Sequence, residues 1–385
     1  MKRFFFVFVA FVSVTFVFVA FVFVAAGAVA QSPARDALLQ QADRDLNAGP
    51  FSVMHKKLAP SSGDKHDYMS VGPYWWPDPT KPDGLPYIRK DGVINPDRTS
   101  AATDNDEFKK LFSAVGTLAL AYRETGSEKY AEHATALLRA WFLDPATRMN
   151  PNLNFGQAVP GRNEGRGTGI IDTAGLVDLA RALPWLEKSK AWSDADRAGI
   201  KQWFATYLDW LETSKNGKEE REATNNHGTW YDAQVVALAL ATGQDALAKK
   251  TLEAAKQKRV AAEIEPNGSM PRELERTKSF GYSTMNLRAF MELASLGDRA
   301  GVDLWNYQTA DGRGIRKAVD YLAPYMDPSK QWEHEQIEPM NRTELATLMR
   351  RAAIAYKEPR YETLAESAHA ATNRMELLWP YTGVK

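Results

Sequence analysis

The sequence contains no cysteine. This absence excludes disulfide bridges, a thiolate nucleophile, cysteine-ligated metals and a lipid-modified cysteine behind an N-terminal leader. A chain of 385 residues does not need such cross-links, because a domain of this size buries a sufficient hydrophobic core. The absence of cysteine therefore excludes these kinds of site, and a stable folded domain is still expected.

Net charge and closely spaced histidines are also missing. The 48 basic and 48 acidic residues give a formal net charge of zero, which argues against bulk electrostatic capture of nucleic acid. The six histidines show no metal-ligand spacing, so we expect no metal centre and no cofactor; a structural Ca²⁺ in an Asp-rich loop is left open. An acidic substrate fits this composition only if its basic contacts are local.

Long apolar runs are confined to the N-terminus. Lys2 and Arg3 precede a stretch rich in Phe, Val and Ala, which ends in a small-x-small pattern at residues 28–30. A basic start, an apolar stretch and such an exit are typical of a secretory signal. We therefore predict a signal peptide over residues 1–30 and a single domain over residues 31–385.

The apolar stretch also permits a second interpretation. It runs from Phe4 to about Ala26, which is long for a signal and long enough to span a bilayer as an uncleaved anchor. We favour cleavage because the exit pattern is typical. The mature protein is then periplasmic or secreted by a bacterium, without stable membrane association. The sequence leaves its oligomeric state open.

Strand-like alternation is scarce after the leader, and helical periodicity takes its place. In residues 106–123 apolar side chains recur at i, i+3, i+4 and i+7. The helices form pairs, and Gly126 and Gly243 occupy typical helix-end positions in two of the short links. We predict an all-α fold of helical hairpins closed into an (α/α) toroid, with a superhelical solenoid as the alternative. Similar patterns occur over residues 127–142, 170–187, 193–213, 226–241, 244–262, 282–296, 314–325, 342–356 and 359–377.

Two long segments, residues 60–104 and 144–169, interrupt the helical pattern. Long segments of this kind inside a compact domain are usually functional or disordered. The first is rich in Pro, Gly and aromatic residues, whose flat faces suit sugar rings, although they could equally anchor the loop. The second places arginines among glycines, a combination that fits carboxylate recognition better than a phosphate loop. The predicted substrate-binding residues from these segments are Tyr74, Trp75, Trp76, Gln157, Arg162 and Arg166.

The densest polar motif is Asn-Asn-His-Gly-Thr-Trp-Tyr at residues 225–231. Thr224 or Asn225 is a suitable N-cap for the apolar helix that follows. Asn226 and His227 would then lie in its first turn, at the positive end of the helix dipole, where an anionic group is favoured. Capping alone could explain a lone Asn-His pair, but it needs one side chain only. We add Asn225, Trp230 and Tyr231 to the predicted substrate-binding residues.

A second polar cluster lies about fifty residues further on. Asn267-Gly268 marks a turn, and a basic segment follows it with Arg272 and Arg276, then Tyr282 at the start of the next helix. A solvated loop and a core tyrosine would explain the same residues. Arg272 is predicted to bind substrate.

These motifs together resemble the alginate lyase superfamily of polysaccharide lyases. The resemblance rests on residues 74–79 and 83–87, on the Asn-Asn-His motif, and on the segment from Asn267 to Tyr282. It implies an (α/α) toroid that cleaves a uronate polysaccharide by β-elimination. The six-residue step from Arg276 to Tyr282 is similar to the branch that contains both alginate and glucuronan lyases. The resemblance therefore implies alginate, polymannuronate or glucuronan as the substrate.

The resemblance implies catalytic roles for Asn226, His227, Arg276 and Tyr282. The enzyme must neutralise the sugar carboxylate before the proton at C5 is removed, and Asn226 is the expected neutraliser, helped by His227 or Arg276. Tyr282 is expected to protonate the leaving oxygen, and either Tyr282 or His227 to take the C5 proton. We expect a nearby Arg276 to lower the pKa of Tyr282 from its usual value near 10.

Two other classes of function are compatible with the sequence. A glycoside hydrolase on a similar toroid needs two carboxylates at a set separation, and candidates are Glu273, Glu275, Asp172 and Asp232. A non-catalytic glycan-binding protein would need the aromatic loop alone. Products without ultraviolet absorbance would indicate hydrolysis, and undiminished polymer length would indicate binding only.

Overall fold

The computed structural model of the protein describes Met1 and residues 33–367. The predicted signal peptide lies outside the described residues, and the single-domain prediction for residues 31–385 stays a prediction. In the described part of the chain, none of the helices is long and apolar enough to cross a membrane.

Helices dominate the secondary structure. They are α1 (Pro33–Asp45), α2 (Asn105–Thr125), α3 (Glu128–Leu138), α4 (Leu176–Ala182), α5 (Asp194–Thr213), α6 (Lys215–Arg221), α7 (Asn226–Thr242), α8 (Asp245–Ala255), α9 (Ala261–Glu263), α10 (Pro271–Leu274), α11 (Ser279–Ala300), α12 (Ile315–Leu322), α13 (Arg342–Tyr356) and α14 (Pro359–Ser367).

Short segments of other helical types extend several of these helices. The predicted helix at residues 127–142 ends in a π-helical turn, and the one at 170–187 is a 3₁₀ segment, α4 and a second 3₁₀ turn. These segments are Val53–His55, Pro96–Thr99, Arg139–Leu143, Gly167–Thr173, Leu183–Leu186, Lys256–Val260 and Ala323–Met326. The periodicity predicted α2, α5, α7 and α13 closely, missed α1, α6 and α10, and placed the start of α11 three residues late. The end of the predicted helix at 359–377 lies outside the described residues.

The helices pack as hairpins, as predicted. The pairs α2–α3, α7–α8 and α13–α14 are adjacent in sequence and in contact. Gly126 and Gly243 follow α2 and α7 in the left-handed conformation, with φ of 69° and 81°, and Lys357 takes the same role after α13 with φ of 52°. Only glycine enters this region without a steric cost, which explains the glycine in two of the three links.

Helix α7 lies at the centre of the packing. It contacts α11, α5, α4, α8 and α6, and nearly every residue from Asn226 to Ala239 is buried. A helix that is apolar all round is expected at such a central position. The helix is therefore anchored by several packed neighbours, which fixes the two residues of its first turn.

Two small sheets occupy the segments without helical periodicity. Strand β1 (Met69–Val71) pairs in parallel with β4 (Phe155–Ala158), and β2 (Trp75–Trp76) pairs antiparallel with β3 (Ile88–Arg89). The first pairing joins the two long predicted loops, residues 60–104 and 144–169. The loops are therefore ordered and adjacent.

The backbone of Gly228 packs closely against Ala223, in the turn between α6 and α7, and against Arg259. Replacing Gly228 tests this packing. A Cβ at Gly228 would lie 2.1 Å from the carbonyl oxygen of Ala223 and 2.1 Å from Nη1 of Arg259, two atoms that are hydrogen-bonded to each other at 2.5 Å. We expect Gly228→Ala to lower the free energy of unfolding by about 1–3 kcal/mol through overpacking. The measurement is urea unfolding followed by circular dichroism.

Gly281 provides the control, because it lies in α11 with no atom within 4 Å of a Cβ. Gly281→Ala should be neutral or stabilising by up to about 1 kcal/mol, since alanine is the better helix former. Equal unfolding midpoints for the two variants would contradict the packing described at Gly228.

Candidate active site

A cavity of about 580 Å³ opens where the two ordered loops meet the starts of α7 and α11. Its wall contains Asn226 and His227 from α7, Tyr282 from α11, and Arg276 from the segment before α11. The four residues predicted to be catalytic therefore come together. The other lining residues are Pro73, Tyr74, Trp75, Arg89, Ile94, Arg98, Gln157, Arg166, Thr168, Ile171, Ala223, Asn225, Lys278, Gly281, Met285, Gln336, Glu338, Pro339 and Asn341.

The cavity is basic although the whole chain is neutral. Four arginines and Lys278 line it, whereas Glu338 is the one carboxylate among the described lining residues, and Glu338 is paired with Lys278. Such a concentration of positive charge favours a polyanionic ligand. The local basic contacts that an acidic substrate requires are therefore present.

The first turn of α7 is arranged as the sequence predicts. Asn225 is the N-cap, and its side-chain oxygen accepts a hydrogen bond from the backbone N–H of His227 at 3.3 Å. The capping role is thus taken by Asn225, which leaves the side chains of Asn226 and His227 to other partners.

His227 is paired with a buried acid that the sequence analysis did not identify. Its Nδ1 lies 2.6 Å from Oε1 of Glu220, a residue at the end of α6 that is 1% exposed. Burial lowers the pKa of His227, but the Glu220 carboxylate outweighs this effect, and the net pKa is raised. Because Nδ1 is occupied by Glu220, Nε2 is the ring nitrogen left for other interactions.

This pairing predicts a shift in the titration of His227. In Glu220→Gln the carboxylate is lost while burial stays, so the pKa of His227 should move to lower pH. The measurement is an NMR titration of the imidazole in the purified variant. An unchanged titration would show that Glu220 does not control the charge on His227. Glu219→Gln serves as the control, because Glu219 is adjacent to Glu220 in sequence but exposed.

Asn226 is fully buried and is held by Glu273. The backbone N–H of Asn226 donates to Oε1 of Glu273 at 2.7 Å, and its Nδ2 donates to Oε2 at 2.8 Å. Glu273 lies in α10, which the sequence analysis did not predict, and is itself 0% exposed. Burial raises the pKa of this carboxyl, although the hydrogen bonds from Asn226 oppose the shift.

Tyr282 forms a phenol pair with Tyr74. The two hydroxyl oxygens are 2.5 Å apart, and Nη2 of Arg276 donates to the Tyr282 hydroxyl at 2.9 Å. The same Nη2 also donates to Asp91 at 3.1 Å, so Asp91 fixes the guanidinium. Tyr74, predicted as a platform for a sugar ring, lies instead within hydrogen-bonding distance of a predicted catalytic group.

The expectation that Arg276 lowers the pKa of Tyr282 overall is wrong. Arg276 does favour the phenolate, but burial and then the neighbouring Tyr74 hydroxyl raise the pKa of Tyr282 well above its usual range. The Tyr282 phenol is therefore neutral at ordinary pH. A neutral phenol held by a guanidinium is suited to donating a proton.

Gln157, Arg166 and Trp75 form another part of the cavity wall. Arg166 donates to the Gln157 side-chain oxygen at 2.9 Å and to its backbone carbonyl at 3.1 Å. Gln157 has φ of 50°, a left-handed conformation that costs free energy for a residue other than glycine and that concentrates at functional sites. The guanidinium of Arg166 lies 6.0 Å from the ring centre of Trp75, so these three predicted residues form one surface.

A buried ion pair supports this wall. Arg98, another lining residue, is paired with Asp172, which also accepts hydrogen bonds from Tyr68 at 3.0 Å and from Ser70 at 2.6 Å. Burial raises the pKa of Asp172, but Arg98 outweighs it and holds the pKa below its ordinary value. This pair could not be predicted from the sequence, because its members are 74 positions apart and meet only through the packing of two short 3₁₀ segments.

Comparison with known proteins assigns the chain to a family. A family model described as alginate lyase matches residues 52–332, which is well over half of the chain. The chain belongs to the alginate lyase family. The crystal structure of an alginate lyase from Bacteroides ovatus is 42% identical with a TM-score of 0.87, covering 91% of this chain and 93% of that one.

More distant structures share the fold. A His→Ala variant of alginate lyase A1-III complexed with tetrasaccharide is 17% identical, with a TM-score of 0.58 and coverage of 93% of this chain and 98% of that one. A Tyr→Phe variant of the same lyase, also with tetrasaccharide, is 18% identical, with a TM-score of 0.51 and coverage of 83% and 87%. Comparison with curated protein sequences gave no match. The (α/α) toroid prediction is confirmed, and the protein is a polysaccharide lyase.

Several residues predicted to bind substrate lie outside the cavity of this lyase. Tyr231 is buried and donates to the backbone of Leu211 and to Glu212, each at 2.9 Å. Trp230 is 5% exposed and lines a neighbouring cavity that shares Ile171, Met285 and Asn341 with the first. The Asn-Asn-His motif therefore continues into the core after His227.

Three further predictions fall at or beyond the rim. Trp76 faces away from Trp75 along β2, and its Nε1 donates to the carbonyl of Val93 at 2.9 Å. Arg162 donates to the carbonyl of Tyr87 at 2.9 Å, and its guanidinium lies 5.1 Å from the ring centre of Trp75. Arg272 is exposed and is absent from the cavity wall.

The carboxylates considered for hydrolysis are all otherwise engaged or distant. Glu273 binds Asn226, Asp172 binds Arg98, and Asp232 binds Arg259 at 2.7 Å, while Glu275 is exposed. Hydrolysis needs two carboxylates facing the scissile bond, and none of the four lines the cavity. Within residues 33–367, no group of three or more His, Asp or Glu forms a candidate metal site.

Proposed function

We propose that this lyase cleaves a uronate polysaccharide by β-elimination in the basic cavity, leaving a 4,5-unsaturated sugar at the new end. The observation that supports the proposal most strongly is the meeting of Asn226, His227, Arg276 and Tyr282 in one wall. An amide, an imidazole, a guanidinium and a phenol supply the required chemistry. No pair of carboxylates is needed for this reaction.

Neutralising the sugar carboxylate is the first requirement. The proton at C5 is only weakly acidic while the adjacent carboxylate carries its full charge, so donors must hold the charge that develops. Asn226 is the proposed neutraliser, at the positive end of α7, with His227 beside it. The arginines and Lys278 of the wall would hold the carboxylates of neighbouring sugar units.

Tyr282 is the proposed acid. Its neutral phenol would donate a proton to the oxygen at C4 of the departing sugar, with Arg276 stabilising the phenolate that forms. If the C5 proton and the leaving oxygen lie on one face of the sugar, the same phenol serves as base after exchange of its proton. If they lie on opposite faces, Nε2 of His227 takes the C5 proton and Glu220 stabilises the imidazolium.

The pH profile of Glu220→Gln separates the two arrangements. When His227 is the base, activity rises with pH as the imidazole loses its proton, so a lower pKa moves this rise to lower pH. When His227 only holds the carboxylate, its charged form is the active one, and the same variant loses activity at lower pH than the wild type. The variant therefore gains activity on the acidic side of the profile if His227 is the base, and loses activity on the alkaline side if His227 only holds the carboxylate.

Alginate is the proposed substrate class. The similar proteins of known structure are alginate lyases. Glucuronan is the second candidate, because the Arg276–Tyr282 step resembles the branch that contains both alginate and glucuronan lyases. The test is an ultraviolet assay of the purified protein against polymannuronate, polyguluronate and glucuronan. Absence of unsaturated product from all three would refute the proposal.

Export is part of the same proposal. A polymer too large to enter a cell must be met in the periplasm or outside, and residues 1–30 have the pattern of a secretory signal. N-terminal sequencing of the protein recovered from the periplasm or the medium tests this, with a start near Gln31 as the expected result. Recovery of the intact N-terminus in the membrane fraction would favour the anchor.

A further inference from the structure

A cluster of buried polar side chains behind the cavity contains more hydrogen-bond acceptor atoms than N–H and O–H hydrogens to bond them. Glu273 and Glu263 are joined by Asn286, whose Nδ2 donates to Glu263 at 3.1 Å and to Glu273 at 3.4 Å. Thr229 donates to Glu263 at 2.7 Å. All four side chains, with Asn226, are at most 3% exposed.

Two amide oxygens of this cluster lack a partner. The Oδ1 atoms of Asn226 and Asn286 are buried and accept no hydrogen bond within the described residues. An unsatisfied buried acceptor is costly, and native structures contain few of them. Asn226 is in this condition because Glu273, as a carboxylate, accepts from its Nδ2 and offers nothing to its Oδ1.

One added proton on Glu273 gives the Oδ1 of Asn226 a donor and leaves Nδ2 in need of an acceptor, which a bound sugar carboxylate would supply. A protonated Glu273 still accepts the backbone N–H of Asn226 on one oxygen and donates from the other. The planar Asn226 amide then turns over, with Oδ1 accepting from Glu273 and Nδ2 taking the place of Oδ1. The two orientations have nearly the same shape, so the exchange requires no rearrangement of the surrounding core.

We propose that Glu273 carries a proton when polysaccharide binds, and that this proton presents the Nδ2 of Asn226 to the sugar carboxylate. Glu273 is thus a positioning residue that acts through Asn226, and the inference rests on the proposed function of the cavity. The proton comes from solvent, and the sugar carboxylate stays ionised. A carboxylate at this position would instead hold Nδ2 away from the substrate.

The charges around Glu273 act in both directions. His227 and Arg276 favour its ionised form. Glu263 disfavours it, and Arg259 lies on the far side of Glu263, 3.6 Å from its Oε1. Burial raises the pKa of both acids, that of Glu263 to about 8, so each holds a proton more readily than an exposed carboxyl does.

The test compares Glu273→Gln with Glu273→Ala. Glutamine reproduces the protonated acid, since it accepts on one side and donates on the other, whereas alanine leaves Asn226 without either partner. We expect Glu273→Gln to turn over at least roughly tenfold faster than Glu273→Ala, the equivalent of one retained hydrogen bond in the transition state. Equal turnover of the two folded variants, or a slower glutamine variant, would overturn the proposal.

Binding provides a readout that does not depend on turnover. In a Tyr282→Phe background, the affinity for a saturated alginate oligosaccharide should fall as pH rises, because Glu273 loses the proton that binding requires. Adding Glu273→Gln should remove that part of the pH dependence while the contribution of His227 stays. Identical pH dependence with and without the second change would contradict the proposal.

The test remains informative if the variants do not fold or if the proposed reaction fails. Infrared difference spectra of Glu263→Gln, recorded on adding the oligosaccharide, show whether the remaining acid Glu273 gives the carbonyl band of a protonated carboxyl. Only a carboxylate band would refute the proposal. Lack of unsaturated product from the wild type would refute the reaction itself, a separate result.

Discussion

Replacing Tyr282 with phenylalanine is expected to lower turnover about 10³-fold while the affinity for oligosaccharide is kept. General acid–base groups contribute about 10²–10⁴-fold, and the Tyr282 hydroxyl is the proposed proton donor to the leaving sugar. The ring stays in place over the Arg276 guanidinium, which lies 4.0 Å from its centre. The measurement is the ultraviolet absorbance of unsaturated product, with calorimetry for binding.

Tyr74→Phe is the matched control because it removes the other hydroxyl of the pair. Tyr282 then keeps its hydrogen bond from Arg276 and loses a neighbour that raises its pKa. We expect a smaller loss of turnover and a shift of the alkaline side of the pH profile to lower pH. Wild-type turnover in Tyr282→Phe, or an equal loss in both variants, would reject the assignment of Tyr282 as the acid.

Replacing Asn226 with alanine is expected to lower kcat about 10²–10³-fold, the usual loss when a donor at a developing charge is removed. KM should change less, because the arginines of the wall still hold the polymer. The effect belongs to the transition state, in which the carboxylate gains charge as the C5 proton leaves. Initial rates across a range of polymer concentrations separate the two constants.

Asn226→Asp is a variant of the same size that reverses the electrostatics. A carboxylate in place of the amide would face both Glu273 and the sugar carboxylate, so we expect the loss in kcat to be at least as large as in Asn226→Ala, and KM to rise as well. A kcat equal to the wild type in Asn226→Ala would remove the neutralising role.

The resemblance to the alginate lyase superfamily predicted which residues gather at the site, and local chemistry predicted part of their placement. Asn225 is a recognisable cap, so the position of Asn226 and His227 in the first turn of α7 followed from local chemistry. The same motif also led to the prediction that Trp230 and Tyr231 bind substrate. Trp230 and Tyr231 lie a full turn beyond Asn226 and His227, where both side chains are buried.

The partners of these residues could not be predicted, because they depend on long-range packing. Glu220 lies on α6, a short charged helix whose sequence reads as a solvated segment, and Glu273 reaches Asn226 from 47 positions away. Tyr74 meets Tyr282 across 208 positions. The direction of the Tyr282 pKa was therefore mistaken: the sequence showed Arg276 six residues away but not the burial or the second phenol.

The most direct test of the central claim is the mass of the products released from alginate by the wild-type protein. Elimination requires every new chain to end in an unsaturated uronate, with fragments lighter by one water than those of hydrolysis. We predict this mass together with the matching rise in ultraviolet absorbance, both lost in Tyr282→Phe. Fragments with the hydrolytic mass, or a polymer of unchanged length, would contradict the account.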